Sequence, residues 1–411
     1  MMGPLAGLKV IDLTHVMAGP TCTLMLADMG ADVIKVEKTP QGDDSRHMIP
    51  PKIGDQAAAF LMMNRNKRGI VIDLKSAVGR KVLRRLVESA DVLVENFAPG
   101  VMERFGFAYD DVRAYNPALI YCSLSGFGRS GPYRTRRGLD LIAQAMSGLM
   151  SITGESSDRP PVKCGAPLSD ITAGIMAAMG ILAAYTHRLR TGEGQCVDTS
   201  LFEAALVQTY WQSAIALATG VAPRAMGSAH PLSAPYQAFQ AADGWVVVGG
   251  ANQRNWLRLL EALDAGDLAS DPRFVTASER MAHLAELEAE LAKRFRMRPA
   301  AYWLAALEEK GVPCGPVNNM LQALADPQAR AREMVVEVEH SALGRVQTLG
   351  LPVKFSRTPG AIRKGAPLYG EHTHAVLREH GFGDEEIATL EREGVIVAVA
   401  EAGGRSQKIA S

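Results

Sequence analysis

Leu8-Lys9-Val10-Ile11-Asp12-Leu13-Thr14 is an apolar run rich in β-branched residues that ends in a turn, and it predicts a β-strand. Residues 20–30 are small and apolar and predict a helix. Asp32-Val33-Ile34-Lys35-Val36-Glu37 predicts a second strand. The rhythm continues outward with strand 69–74, helix 76–89, strand 91–95, helix 109–115 and strand 118–123. Strand, helix, strand in this order means α/β, a parallel sheet with helices on its faces. Ser76 stands where an N-cap is expected before the helix that begins at residue 77.

A stretch dense in Gly, Arg, Ser and Pro occupies 126–138, and helices are expected at about 139–150, 170–190 and 201–219. Residues 220–235 read as a linker. A hairpin is expected over 236–250, then helices at 253–264, 279–296 and 299–310. Strands return at 334–340 and 346–355, and 371–393 reads as helical. The expected division is a large domain over 1–224, a smaller α+β domain over 225–325, and a return to the large domain over 326–411, with about 400–411 frayed.

Lys+Arg and Asp+Glu are both 44, so net charge gives no reason to expect nucleic acid or an anionic membrane as partner. The apolar run Ala173–Tyr185 is about half the length of a membrane span. The five cysteines are widely spaced with no CxxC pair, which favours a reduced, cytoplasmic setting. His372 and His374 are the one close histidine pair and lack a matching Cys or Glu set, so no metal is expected. The turn after the first strand, Thr14 to Pro20, is not G-x-G-x-x-G, which weakens a dinucleotide reading. No G-x-S-x-G elbow is present.

Two features carry the chemistry. The first is a set of cations near the expected strand ends: Lys35, Lys38, Arg46, Arg65, Lys67, Arg68, Lys75, Arg104, Arg129, Arg134, Arg136 and Arg137. A solvated surface explains any one of them; together they suit a polyphosphate at the crevice beyond the strands. The second is the segment Lys163 to Gly174, in which Asp170 precedes a helix of Ala, Gly and Met. Asp170 reads either as a helix N-cap or as a nucleophilic carboxylate that attacks a thioester.

At these residues the sequence resembles the class III CoA-transferases, the CaiB/BaiF family. The resemblance rests on Gly7 to Thr14, Met17-Ala18-Gly19-Pro20, Gly30 to Glu37, Asn64 to Arg68, Asp91 to Phe97, Ser125 to Gly128, the Asp170 segment, Thr191 to Gln195 and Gly311 to Val317, in that order over nearly the whole chain. It implies Asp170 as the catalytic residue, acting through an acyl-aspartyl anhydride and an aspartyl-CoA thioester. It implies CoA contacts from Ala18, Lys38, Asn96, Phe97, Arg104 and Arg137. CoA and acyl-CoA would be substrates, with no tightly bound cofactor. The implied fold is a Rossmann-like large domain built from both chain ends in an interlocked homodimer.

Met17, Leu139 and Gly249-Gly250-Ala251-Asn252 depart from the formyl-CoA transferase branch. Tyr236 to Phe239, Val248 to Gly250 and Gly311 to Met320 look closer to the branch that moves CoA from succinyl-CoA to small dicarboxylates. A 2-methylacyl-CoA racemase of the same fold is a rival, but Leu139 replaces the histidine that would move a proton. A non-catalytic CoA-binding protein is the other rival, and the intact Asp170 segment argues against it.

Overall fold

The computed structural model describes residues 3–399. Strands β1 (Lys9–Asp12), β2 (Asp32–Glu37), β3 (Arg68–Ile72), β4 (Val92–Glu95), β5 (Ile120–Ser125), β6 (Cys196–Ser200) and β7 (Ile396–Val397) form one seven-stranded sheet in the order β7-β3-β2-β1-β4-β5-β6. All neighbours pair in parallel except β7, which runs antiparallel on the β3 edge. The order reverses direction between β1 and β4. In an open parallel sheet the chain diverges there beyond the strand C-termini and leaves a crevice.

The strands are buried on both faces, so they read as near-continuous apolar runs. One face carries Ile11, Ile34, Ile70 and Leu93 against Leu83, Leu86 and Val87 of helix α2 (Ala77–Glu88) and Val376, Leu377 and Ile387 from the C-terminal helices. Ser76 caps α2 through the N–H of Val78, as its sequence position predicts. Helix α1 (Ala18–Asp28) follows β1, and α4 (Leu168–Thr191) packs along it. Between them in sequence lies α3 (Asp140–Met146), and α5 (Leu201–Val207) follows β6.

Helix α4 is 24 residues long, much longer than the apolar run Ala173–Tyr185 that marks it in the sequence. Length and composition alone would let it cross a membrane. Its stripe Ser169, Ala173, Gly174, Ala177, Ala178, Ile181 and Ala184 is nevertheless buried, as in the core helix of a globular unit. The small residues have a packing cause. A Cβ on Gly174 would stand 2.5 Å from the carbonyl oxygen of Ala18, so glycine allows α4 to lie directly on α1.

Two compact units divide the described residues. One comprises the chain up to Ser147, Gly165–Gln208 and the part from Gln328 onward; the other comprises Gly148–Cys164 and Thr209–Pro327. These boundaries differ from the sequence division at 224/225 and 325/326. The second unit holds the expected hairpin, Tyr236–Gln240 with Trp245–Gly249, and adds Cys314–Pro316 as a third strand. Its core gathers Trp256, Phe239, Phe295 and Trp303. The strands Val335–His340 and Gly344–Leu349 pair only with each other. The C-terminal segment that joins the main sheet is instead the two-residue β7, too short to signal itself in sequence. The expected fraying at about 400–411 lies outside the described residues.

Candidate active site

The crevice at the switch point is a cavity of about 540 Å³. The turn after β1 contributes His15, Val16, Met17 and Ala18, and the turn after β4 contributes Asn96, Phe97, Ala98 and Pro99. Leu124, Ser125 and Gly126 come from the end of β5. Arg136, Arg137, Gly138 and Leu139 come from the loop before α3, and Asp170 comes from the first turn of α4. The β5 turn and the pre-α3 loop cross backbone against backbone. A Cβ on Gly126 would meet the Cα of Gly138 at 2.5 Å, so the residue 126–138 stretch needs glycine at the crossing to close this wall.

Asp170 is the third residue of α4, and it does not cap the helix. Pro167 stands at the N-cap without a side-chain hydrogen bond, and Asp140 accepts the N–H of Ser169 at 2.9 Å through Oδ1. Oδ2 of Asp140 accepts from Gln144 Nε2 at 2.8 Å. The N-cap reading of Asp170 is therefore replaced: the capping carboxylate comes from thirty residues upstream, a distance no local pattern could reveal, and Asp170 keeps its own oxygens for the cavity. Burial, and behind it the charge of Asp140, push the Asp170 carboxyl from 3.8 up to about 7. Such a carboxylate is poorly solvated when ionised and gains more than an ordinary one from forming a covalent bond.

The turn after β1 is held in an unusual shape. Val16 has φ +67°, which a β-branched residue adopts at a cost of roughly 1–3 kcal/mol. Asn96 accepts the N–H of His15 and donates to its carbonyl, both at 2.9 Å. The His15 ring lies 5.4 Å from that of Phe97, centroid to centroid, and its Nδ1 is buried without a hydrogen-bond partner. Burial and the charge of Lys35 hold His15 below the usual imidazole range, so at neutral pH it is uncharged. No side chain caps the start of α1, so its first N–H groups are free to meet an anion.

Of the residues read from the sequence, the structure brings Asp170, Ala18, Asn96, Phe97 and Arg137 around one cavity. Lys38 and Arg104 stand outside that lining. Lys38 forms an exposed ion pair with Asp44 at 2.6 Å, and Arg104 is exposed on the helix Val101–Phe105. The larger cation set separates by burial. Lys35 pairs with Asp43 at 2.8 Å, Lys67 with Asp12 at 3.0 Å, and Arg65 with Asp28 at 2.6 Å, all buried. Those three face the core, contrary to a ligand-facing reading. Arg136 and Arg137 remain on the cavity, and Arg136 stacks 4.7 Å from the Tyr133 ring centroid. His15 lines the cavity and Asp140 caps the helix that carries Asp170, and sequence reasoning singled out neither. For His15 the available signal was its place after the first strand, beside a switch point.

The comparisons with known proteins agree on one family. A family model described as CoA-transferase family III matches residues 5–373. A protein of Fusarium pseudograminearum named acyl-CoA transferase is 42% identical over 406 residues, covering 96% of this chain and 88% of its own. A protein of Agrobacterium fabrum named succinate–glutarate CoA-transferase is 40% identical over 382 residues, covering 92% of this chain and 95% of its own. A solved CaiB/BaiF family protein from Brucella suis has a TM-score of 0.82 at 40% identity and covers 92% of this chain and 100% of that one. With the fold, the cavity and these full-length matches together, the chain belongs to CoA-transferase family III.

Proposed function

We propose that this enzyme moves CoA from an acyl-CoA, succinyl-CoA in the first instance, to a small dicarboxylic acid, with Asp170 as nucleophile. The observation that carries the reading is Asp170 itself: a poorly solvated carboxylate in the helix turn that faces the switch-point cavity. The Agrobacterium relative, named for succinate and glutarate, supports the choice of substrates.

A carboxylate oxygen of Asp170 attacks the thioester carbonyl carbon. The C–S bond breaks, CoA leaves as thiolate, and a mixed anhydride forms. The thiolate then attacks the Asp170 carbonyl carbon, which releases the donor acid as carboxylate and leaves an aspartyl-CoA thioester. The acceptor carboxylate attacks that thioester and expels the thiolate again. Attack of the thiolate on the acceptor carbonyl carbon yields the new acyl-CoA and returns Asp170 as carboxylate. No proton or electron is gained or lost over the cycle. Free N–H groups at the start of α1 and the guanidinium of Arg137 support the negative charge of the CoA phosphates.

A homodimer belongs to the same proposal. Each unit exposes large apolar side chains: Met179 and Leu189 on α4 and Leu206 on α5 in one, and Tyr210, Trp211 and Leu217 on the helix Tyr210–Thr219 in the other. Exposed aromatic and aliphatic side chains are the kind that fill interface cores. A coupled assay of succinyl-CoA with glutarate tests the function. Asp170→Ala is expected to abolish transfer, and near-normal turnover in that variant would sink the reading.

A further inference from the structure

We infer that the buried Lys35–Asp43 ion pair is a positioning device for the thioester site, holding the Thr14–Val16 backbone in the shape that builds the cavity wall. The inference rests on the reading of this cavity as the acyl-CoA site.

Lys35 and Asp43 do not line the cavity, and both side chains are fully buried. Their polar atoms nevertheless go to the strap that does line it. Lys35 Nζ donates to the Thr14 carbonyl at 2.8 Å, and Asp43 Oδ1 accepts the Val16 N–H at 3.1 Å. From the other side Asn96 binds both backbone groups of His15. Below, Asp12 accepts the Thr14 N–H at 2.9 Å. The strap is therefore held on three sides across its one left-handed residue, Val16. A strained residue persists only where its surroundings over-determine it.

A purely structural role explains the pair poorly. A buried ion pair adds little stability over apolar residues of the same volume. Methionine and leucine could fill the space, yet neither could donate to Thr14 or accept from Val16. What the charges uniquely supply is the hydrogen bonding of the strap. Asp43 is itself fixed: it also accepts the N–H and hydroxyl of Ser45 at 2.9 and 2.8 Å and caps the short turn Asp44–His47. Without the pair, Val16 would relax toward negative φ. Met17 and the start of α1 would then leave their places on the wall, while Asp170, on a separate helix, would stay.

The test is the double variant Lys35→Met/Asp43→Leu, which removes both charges together and leaves no lone buried ion. Its thermal midpoint, kcat and KM for succinyl-CoA are measured beside wild type, with CoA binding read by calorimetry. The expected result is a folded protein whose KM and CoA dissociation constant rise about tenfold or more while kcat changes by less than about threefold. A folded double variant with wild-type KM and CoA affinity overturns the inference while leaving the transferase reading intact. A wild-type protein that neither binds CoA nor turns over its thioesters removes that reading, and the inference with it. Should the double variant fail to fold, amide exchange of wild type decides. The Val16 N–H is expected to exchange as slowly as the β1 amides, and exchange at the rate of an unstructured amide overturns the proposal.

Discussion

Asp140 Oδ1 accepts the backbone N–H of Ser169 at 2.9 Å, which places one carboxylate at the cap of α4 and the next, Asp170, one residue beyond it. Burial raises the Asp170 carboxyl, and the opposing charge of Asp140 adds to the effect. Nucleophilic attack needs ionised Asp170, so kcat/KM should fall as pH drops through about 7. Asp140→Asn keeps an oxygen for Ser169 but removes the charge. Its acid limb should move to lower pH without reaching the ordinary carboxylate range, because burial, the larger cause, remains. A pH–rate profile identical to wild type would show that Asp140 does not tune the nucleophile.

The same shift makes a stability prediction. Raised from 3.8 to about 7, Asp170 binds its proton more tightly in the folded state. Stability from this group is present at low pH and is lost as pH rises toward and through 7. Asp170→Asn escapes that loss. The variant should exceed wild type by roughly 1–3 kcal/mol at pH 8, after allowance for partial exposure, and match it near pH 4. Denaturant midpoints at both pH values measure this; an equal difference at the two would contradict it.

Arg137 and Lys38 should separate in kinetics. Arg137 lines the cavity, whereas Lys38 is paired with Asp44 at an exposed surface. Arg137→Met should raise KM for acyl-CoA about tenfold with a smaller fall in kcat, and Lys38→Met should change KM by less than about threefold. Steady-state kinetics that reverse this order would move the phosphate contacts to the outer cation.

Gly174→Ala is a packing test. In an open helix the change would stabilise by about 1 kcal/mol. Here the new Cβ meets the Ala18 carbonyl at 2.5 Å, and overpacking of roughly 1–3 kcal/mol outweighs the propensity gain. A lower thermal midpoint is expected. A higher one would mean that α4 does not approach α1 so closely.

Much of this was legible in the sequence, and particular residues show where legibility ends. Strand β2 occupies Asp32–Glu37, as read from its apolar run. Asp170 was legible as the first turn of a helix. Its capping partner was not, because Asp140 reaches Ser169 through tertiary packing. Strand β6, Cys196–Ser200, carries Asp and Thr without clear alternation and gave no strand signal. The cations were visible as charges, but burial and partner were not: Lys35 and Lys67 go to Asp43 and Asp12 inside the core. Sequence lists donors and acceptors, and the fold decides which of them meet.

The central claim is a covalent bond at Asp170. Wild-type enzyme is mixed with succinyl-CoA, quenched with hydroxylamine or borohydride, digested, and its peptides weighed. The account predicts Asp170 carried as the hydroxamate, or reduced to the alcohol, only when acyl-CoA was present. Full turnover with an unmodified Asp170 peptide at every quench time would contradict it.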